Sequence, residues 1–231
     1  MFLLDPMYFV FALPALLLAM YAQWKVRSTY QRFLKVPNEG RITGLEAARM
    51  LQRQAGLSVR VEGTRGVLSD HYDPRSKVLR LSQGVAESAS VGAVAIVAHE
   101  VGHALQDEQS FALLQIRSGL VPIVNFTSWL GPILFFAGYL LALQSLAMVG
   151  VILFGGAVLF SLLTLPVELD ASRRAMAMLK DSRIITDKKA LRGARSVLSA
   201  AALTYVAALA QAVSTMLYYV FLLGGRGRRR S

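Results

Sequence analysis

The sequence predicts a mainly α membrane protein of the α+β class. About four transmembrane helices are expected, with a small α/β cytoplasmic domain. Three observations carry this. The 231 residues are 55% hydrophobic and only 17% charged, and the mean hydropathy of +0.47 is too high for an ordinary soluble domain of this length. Three long tracts carry almost no charge. The polar remainder mixes helical periodicity with two short alternating runs.

The formal net charge is +11 and the pI about 10.3. Such a balance suits nucleic acid or an anionic membrane surface. The long uncharged runs favour the lipid bilayer as partner and argue against nucleic acid, because basic residues then act as topology signals. Cysteine is absent, so disulfides and thiolate ligands are excluded. Any zinc must be held by His, Asp or Glu, the ligand types of hydrolytic sites.

Residues 6–24, "PMYFVFALPALLLAMYAQW", form the first expected span. About 20 apolar residues are needed to cross roughly 30 Å of hydrocarbon as a helix. Pro14 is a candidate kink, and Tyr21 and Trp24 suit the interface. The start "MFLLDP" lacks Lys and Arg and no small-x-small cleavage site follows, so the helix is read as retained rather than cleaved. Residues 25–117 form the larger polar segment. In it, "GRITGLEAARMLQRQAG" predicts an amphipathic helix, with Thr43 and Glu46 as a capping box and Gly56 as the stop. "VRVEG" and "KVLRLS" read as strands, "SDHYDPRS" between them as a turn. Ser88 or Ser90 then caps a helix reaching about Gln106.

Residues 118–167 hold no charge over 50 positions. One helix of that length would extend about 75 Å, too long for one crossing, so a transmembrane hairpin turning near Gln144 and Ser145 is expected. Residues 168–195 are helical, basic and cytoplasmic. Residues 196–225 form the fourth span, and 226–231 a basic tail. Residues 25–117 and 168–195 hold 21 of the 25 Lys and Arg. This puts both polar segments in the cytoplasm. The four arginines of the tail run against that count.

The stretch "AIVAHEVGHALQ" carries the chemistry. His99 and His103 lie four residues apart, about 40° on a helix, so both face one side one turn apart. Two imidazoles so placed can chelate one Zn²⁺. Glu100, about 100° from His99, can flank the metal and take a proton from a water there. The alternative is two ordinary helix histidines. In an otherwise apolar helix that would bury ionisable groups without partners, at a cost of several kcal/mol, which a metal offsets. Gly102 is expected to leave room beside the metal for a substrate strand. The cytoplasmic segment is thus zincin-like, with an H-E-x-x-H helix.

A third ligand is needed. His71 is the only other histidine, but it lies in the expected turn. Glu168 is the better candidate: it ends the uncharged run, and a hairpin returns the chain to the membrane face from which it left. Its alternative is an exposed glutamate at a helix N-terminus. Asp170 is the reserve. His71, Tyr72 and Tyr205 are candidate transition-state stabilisers, against ordinary turn and packing roles. "KVLRLS" is a candidate sheet edge for an extended substrate.

H-E-V-G-H, a membrane hairpin and then a glutamate on a second helix resemble the HtpX/Ste24-type membrane gluzincins, whose second motif reads E-x-E-A-D. Here Glu168-Leu169-Asp170-Ala171-Ser172 places serine at the last acid, which bears on support for a metal histidine. Over nearly the whole chain, through "DHYDPRSKVLRLS", "AHEVGHALQ", "LPVELDASRRA" and "AALTYVAAL", the sequence is more similar to the YugP-like neutral zinc metallopeptidases, small bacterial membrane proteins. The resemblance implies an integral endopeptidase of the bacterial inner (plasma) membrane with one Zn²⁺ per chain. What the family cleaves is not implied by the match. The Lys and Arg count puts the active site at the cytoplasmic face, and tethering there makes membrane-protein substrates the expectation, compatible with a membrane-protein regulator. The rival reading is a non-catalytic membrane adaptor or assembly factor with a structural zinc.

Overall fold

The structure, a computed structural model, describes residues 6–227. The first residues, on which the retained-helix reading drew, lie outside the described residues, as does nearly all of the expected basic tail. The elements are α1 (Pro6–Leu34), α2 (Gly44–Gln54), β1 (Arg60–Thr64), β2 (His71–Asp73), β3 (Val78–Ser82), α3 (Gln83–Ala86), α4 (Val91–Glu108), α5 (Ala112–Leu140), α6 (Gln144–Asp181) and α7 (Lys188–Gly227). They divide between two compact units. One comprises Met1–Ala22, Ile116–Leu165 and Thr204–Ser231, the other Gln23–Gln115 and Pro166–Leu203.

The first unit is apolar. Among the described residues, four helices are long and apolar enough to cross a membrane: α1, α5, α6 and α7. The turn between α5 and α6 occupies residues 141–143, slightly before the expected Gln144 and Ser145. α5 and α6 approach closely at Gly150, where a Cβ would sit 2.3 Å from the Phe135 backbone nitrogen. Small residues permit such backbone contact between helices in lipid, where the hydrophobic effect cannot drive association. Phe135 stacks on Tyr219 with ring centroids 4.0 Å apart. The Ser214 hydroxyl donates to the Phe11 carbonyl, satisfying a polar group where hydrocarbon offers no partner.

The second unit has an aliphatic core that includes Leu51, Leu81, Val97, Val101, Leu179 and Ile185. α2 starts with the expected capping box: Thr43 accepts from the Glu46 backbone, and Glu46 reaches back to the Thr43 N–H. Ser90 is the N-cap of α4, its hydroxyl accepting from Ala93 N–H at 3.1 Å. The sheet order is β1-β3-β2. β3 pairs parallel with β1 and antiparallel with β2. This corrects the expectation for "KVLRLS": it is the central strand, with Val78, Leu79 and Leu81 buried, and has no free edge for a substrate. The segment read as a turn contains β2, a three-residue edge strand.

Gly150→Leu should destabilise the apolar unit by about 1–3 kcal/mol, the usual cost of overpacking. Thermal unfolding in detergent measures it, and an unchanged midpoint would contradict the close approach of α5 and α6.

Candidate metal centre

α4 runs unbroken from Val91 to Glu108 because Val94, Val97, Ala98 and Val101 bury one face in the core, leaving His99 and His103 on a flank. The two rings lie 4.7 Å apart, nearly perpendicular. α6 brings Glu168 to them. Glu168 Oε2 lies 3.2 Å from His99 Nε2 and 3.4 Å from His103 Nε2, and the carboxylate side chain is only 2% exposed. One ligand atom from each residue falls within 4.8 Å of the others.

This donor set fits a divalent cation. Tetrahedral coordination at about 2.0–2.1 Å separates any two donors by roughly 3.3 Å, close to both carboxylate–imidazole distances. Two neutral imidazoles and one carboxylate are also ligands of the hydrolytic type.

Gly102 makes the meeting possible. A Cβ there would sit 2.7 Å from the Ala171 carbonyl oxygen on α6. The room it leaves is filled by a helix backbone, which corrects the expectation that it serves a substrate strand.

The other face of each imidazole is held. His103 Nδ1 lies 3.0 Å from Gln106 Oε1, while the Gln106 amide donates to the Val167 carbonyl and to Asp170 Oδ2, both at 2.9 Å. With the amide nitrogen so committed, its oxygen accepts, and His103 carries its proton on Nδ1 with Nε2 free for the metal side. His99 Nδ1 lies 3.2 Å from Ser172 Oγ. Serine thus occupies the place beside a histidine where the resembled motif has aspartate. Asp170, the reserve ligand, is turned away from the donor group: it accepts from Gln106, Arg173 and Arg174.

Glu100 lies outside the donor trio. Its Oε2 accepts from the Tyr72 backbone N–H at 2.9 Å, so edge strand β2 is tied to α4 at this carboxylate. Burial raises the Glu100 carboxyl above its ordinary range, opposed by the two histidines and the Tyr72 N–H. The Tyr72 hydroxyl donates to Asp107 Oδ2 at 2.7 Å. Burial first, then Asp107, pushes that hydroxyl up, keeping it a donor.

The structure therefore brings together His99, Glu100, His103 and Glu168. It does not bring His71 to them: that ring is exposed, with Nδ1 2.8 Å from the Ser69 carbonyl oxygen and Nε2 3.5 Å from Arg80. Tyr205 lies half-buried on the part of α7 that belongs to the apolar unit. Sequence reading missed Gln106. Its signal was a polar side chain three residues after His103, on the same helix flank. The Tyr72 contact had no signal, since it is made by a backbone N–H.

The described residues thus combine helices long and apolar enough to span a bilayer with a His-His-Glu cluster able to hold a metal ion, beside a buried glutamate. The profile of the family described as "Putative neutral zinc metallopeptidase" matches residues 8–224, and the chain belongs to this family. It is 44% identical over 223 residues to "Putative membrane protease YugP" of Bacillus subtilis (strain 168), covering 95% of this chain and 99% of that relative. No solved structure matches the chain.

Gly102→Val should force α4 and α6 apart and cost about 2 kcal/mol or more, since the clash is with backbone. A melting temperature equal to that of the parent would refute the close approach.

Proposed function

We propose that the chain is an integral membrane zinc endopeptidase that hydrolyses peptide bonds of membrane or membrane-proximal proteins. The observation that carries this reading is the buried Glu168 carboxylate between the Nε2 atoms of His99 and His103, with a second buried carboxylate, Glu100, left outside the trio. His99, His103 and Glu168 would hold one Zn²⁺ per chain. When bound, the metal supplies a Lewis acid that polarises the scissile carbonyl and acidifies water.

The chain's own residues supply the rest. The Nδ1 protons, donated to Ser172 and Gln106, keep both Nε2 lone pairs available. Glu100 takes the proton of the attacking water and passes it to the nitrogen of the leaving amine. The Tyr72 N–H holds one Glu100 oxygen, leaving the other for that proton. A zinc that merely braced two helices would leave Glu100 only its hold on the Tyr72 N–H, one hydrogen bond against the cost of burying a carboxylate. The description of the relative as a membrane protease also favours the enzyme over an adaptor.

The Lys and Arg distribution supports a multi-pass protein of the bacterial inner (plasma) membrane with this site facing the cytoplasm. There it would meet membrane-protein substrates and any membrane-protein regulator. The gluzincin-like division of roles rests on the H-E-x-x-H helix with Glu168 on a second helix.

The purified protein should hold about one zinc per chain, and His99→Ala, His103→Ala or Glu168→Gln should lose most of it. Glu100→Gln should keep the metal while peptide cleavage falls by about 10²–10⁴-fold. Full activity in Glu100→Gln would leave the zinc a structural role, and full metal content in the histidine variants would remove the site.

For orientation, a cysteine placed at Ser76 should resist an impermeant thiol reagent in intact cells, and one at Gln144 should react. The chain has no cysteine of its own, so the reverse pattern would invert the topology.

A further inference from the structure

A groove of about 490 Å³ runs between α6 and α7 in the second unit. Its lining includes the apolar Leu169, Met176 and Leu198 and three cations: Arg173, Lys180 and Arg195. We propose that this groove binds an acidic stretch of the polypeptide substrate that flanks the scissile bond. The proposal rests on the peptidase reading and adds a substrate class to it.

Two observations favour a peptide. The first is continuity. Ser172 lines the groove and also contacts His99 Nδ1, so that part of the groove adjoins a residue of the candidate metal centre. The second is spacing. Arg173 and Lys180 are seven residues apart on α6, hence on one face and about 10 Å apart along the axis. That is roughly three residues of extended chain. Arg173 and Lys180 are spaced as side chains along a peptide would need, rather than gathered on one phosphate as a lipid headgroup would need.

The charges are also available. Arg173 is shared with Asp170. Lys180 and Arg195 form none of the ion pairs observed among the described residues. Counted along α6 from Glu168, Arg173 and Lys180 are about 7 and 18 Å away, which places the recognised Asp or Glu about two to five residues from the cleaved bond.

The test uses the full chain carrying Glu100→Gln, zinc-loaded, in a non-ionic detergent free of anionic lipid. Fluorescent peptides with one common centre and Glu-rich, Ser-rich or Lys-rich flanks are titrated by anisotropy. The Glu-rich peptide should bind about five- to tenfold tighter than the Ser-rich one at low ionic strength, with the gap closing as salt is added. Adding Lys180→Gln and Arg195→Gln should bring the ratio to about one while zinc content stays at one per chain. In the chain with Glu100 intact, the ratio of kcat/KM between the two peptides should fall in the same way. Equal binding of the three peptides, or a preference that survives the double substitution, would overturn the proposal. So would a double variant that loses only its binding to phosphatidylglycerol vesicles, since the groove would then belong to lipid. A binding preference that the double substitution abolishes, with no peptide cleaved by the parent chain, would sink the peptidase reading and leave the acidic-peptide groove standing.

Discussion

The close approach of α4 and α6 at Gly102 is the constraint on which the candidate centre depends. A side chain at that position would meet the Ala171 carbonyl, and the separation it forced would draw the Glu168 carboxylate away from the two imidazoles. Without a side chain, the helices touch backbone to backbone. Glu168, three residues before Ala171 on α6, then falls between His99 and His103. The cost is a glycine inside a helix, about 1 kcal/mol relative to alanine, and the burial of several polar groups.

Those groups are held by one another. Glu100, His103, Gln106, Glu168 and Asp170 are all buried, and each would be expensive to bury alone. Gln106 is the centre of the arrangement: its amide oxygen faces His103, and its amide nitrogen holds the Val167 carbonyl and Asp170. Asp170 in turn accepts from Arg173 and Arg174, and Arg174 reaches Gln109 near the end of α4. Networks of this kind, fully satisfied, specify one geometry. The two acids of α6 thus have different tasks. Glu168 faces the imidazoles, and Asp170 holds the glutamine that orients one of them.

The short sheet has a matching role on the other flank of α4. β2 has only three residues, too few to persist alone. It is held by pairing with β3 and by two contacts to α4, the Tyr72 N–H to Glu100 and the Tyr72 hydroxyl to Asp107. The residue that anchors the edge strand is therefore the one that fixes the orientation of Glu100. An edge strand committed to a side chain in this way also has less free backbone to offer another chain.

Much of this was legible in the sequence, and the reason is locality. Hydropathy over 18 or more residues identifies helices able to span a bilayer, and the Thr43–Glu46 capping box is a contact between residues three apart. The i,i+4 spacing of His99 and His103 follows from helix geometry alone. Even Glu168 could be chosen from afar, because a hairpin of uncharged helices must bring the chain back and a carboxylate ending such a run needs a partner. Tertiary structure alone decided the rest. β3 is central because strand order depends on which edges meet, and alternation within a strand carries no information on that. Gly102 faces Ala171 rather than an open site because helix packing, not helix propensity, selects what opposes a glycine. His71 falls outside the group and Ser172 inside it by the rotation of β2 and α6 about their axes. The hold on Glu100 is a backbone N–H, which every residue but proline possesses and which no sequence pattern can therefore single out.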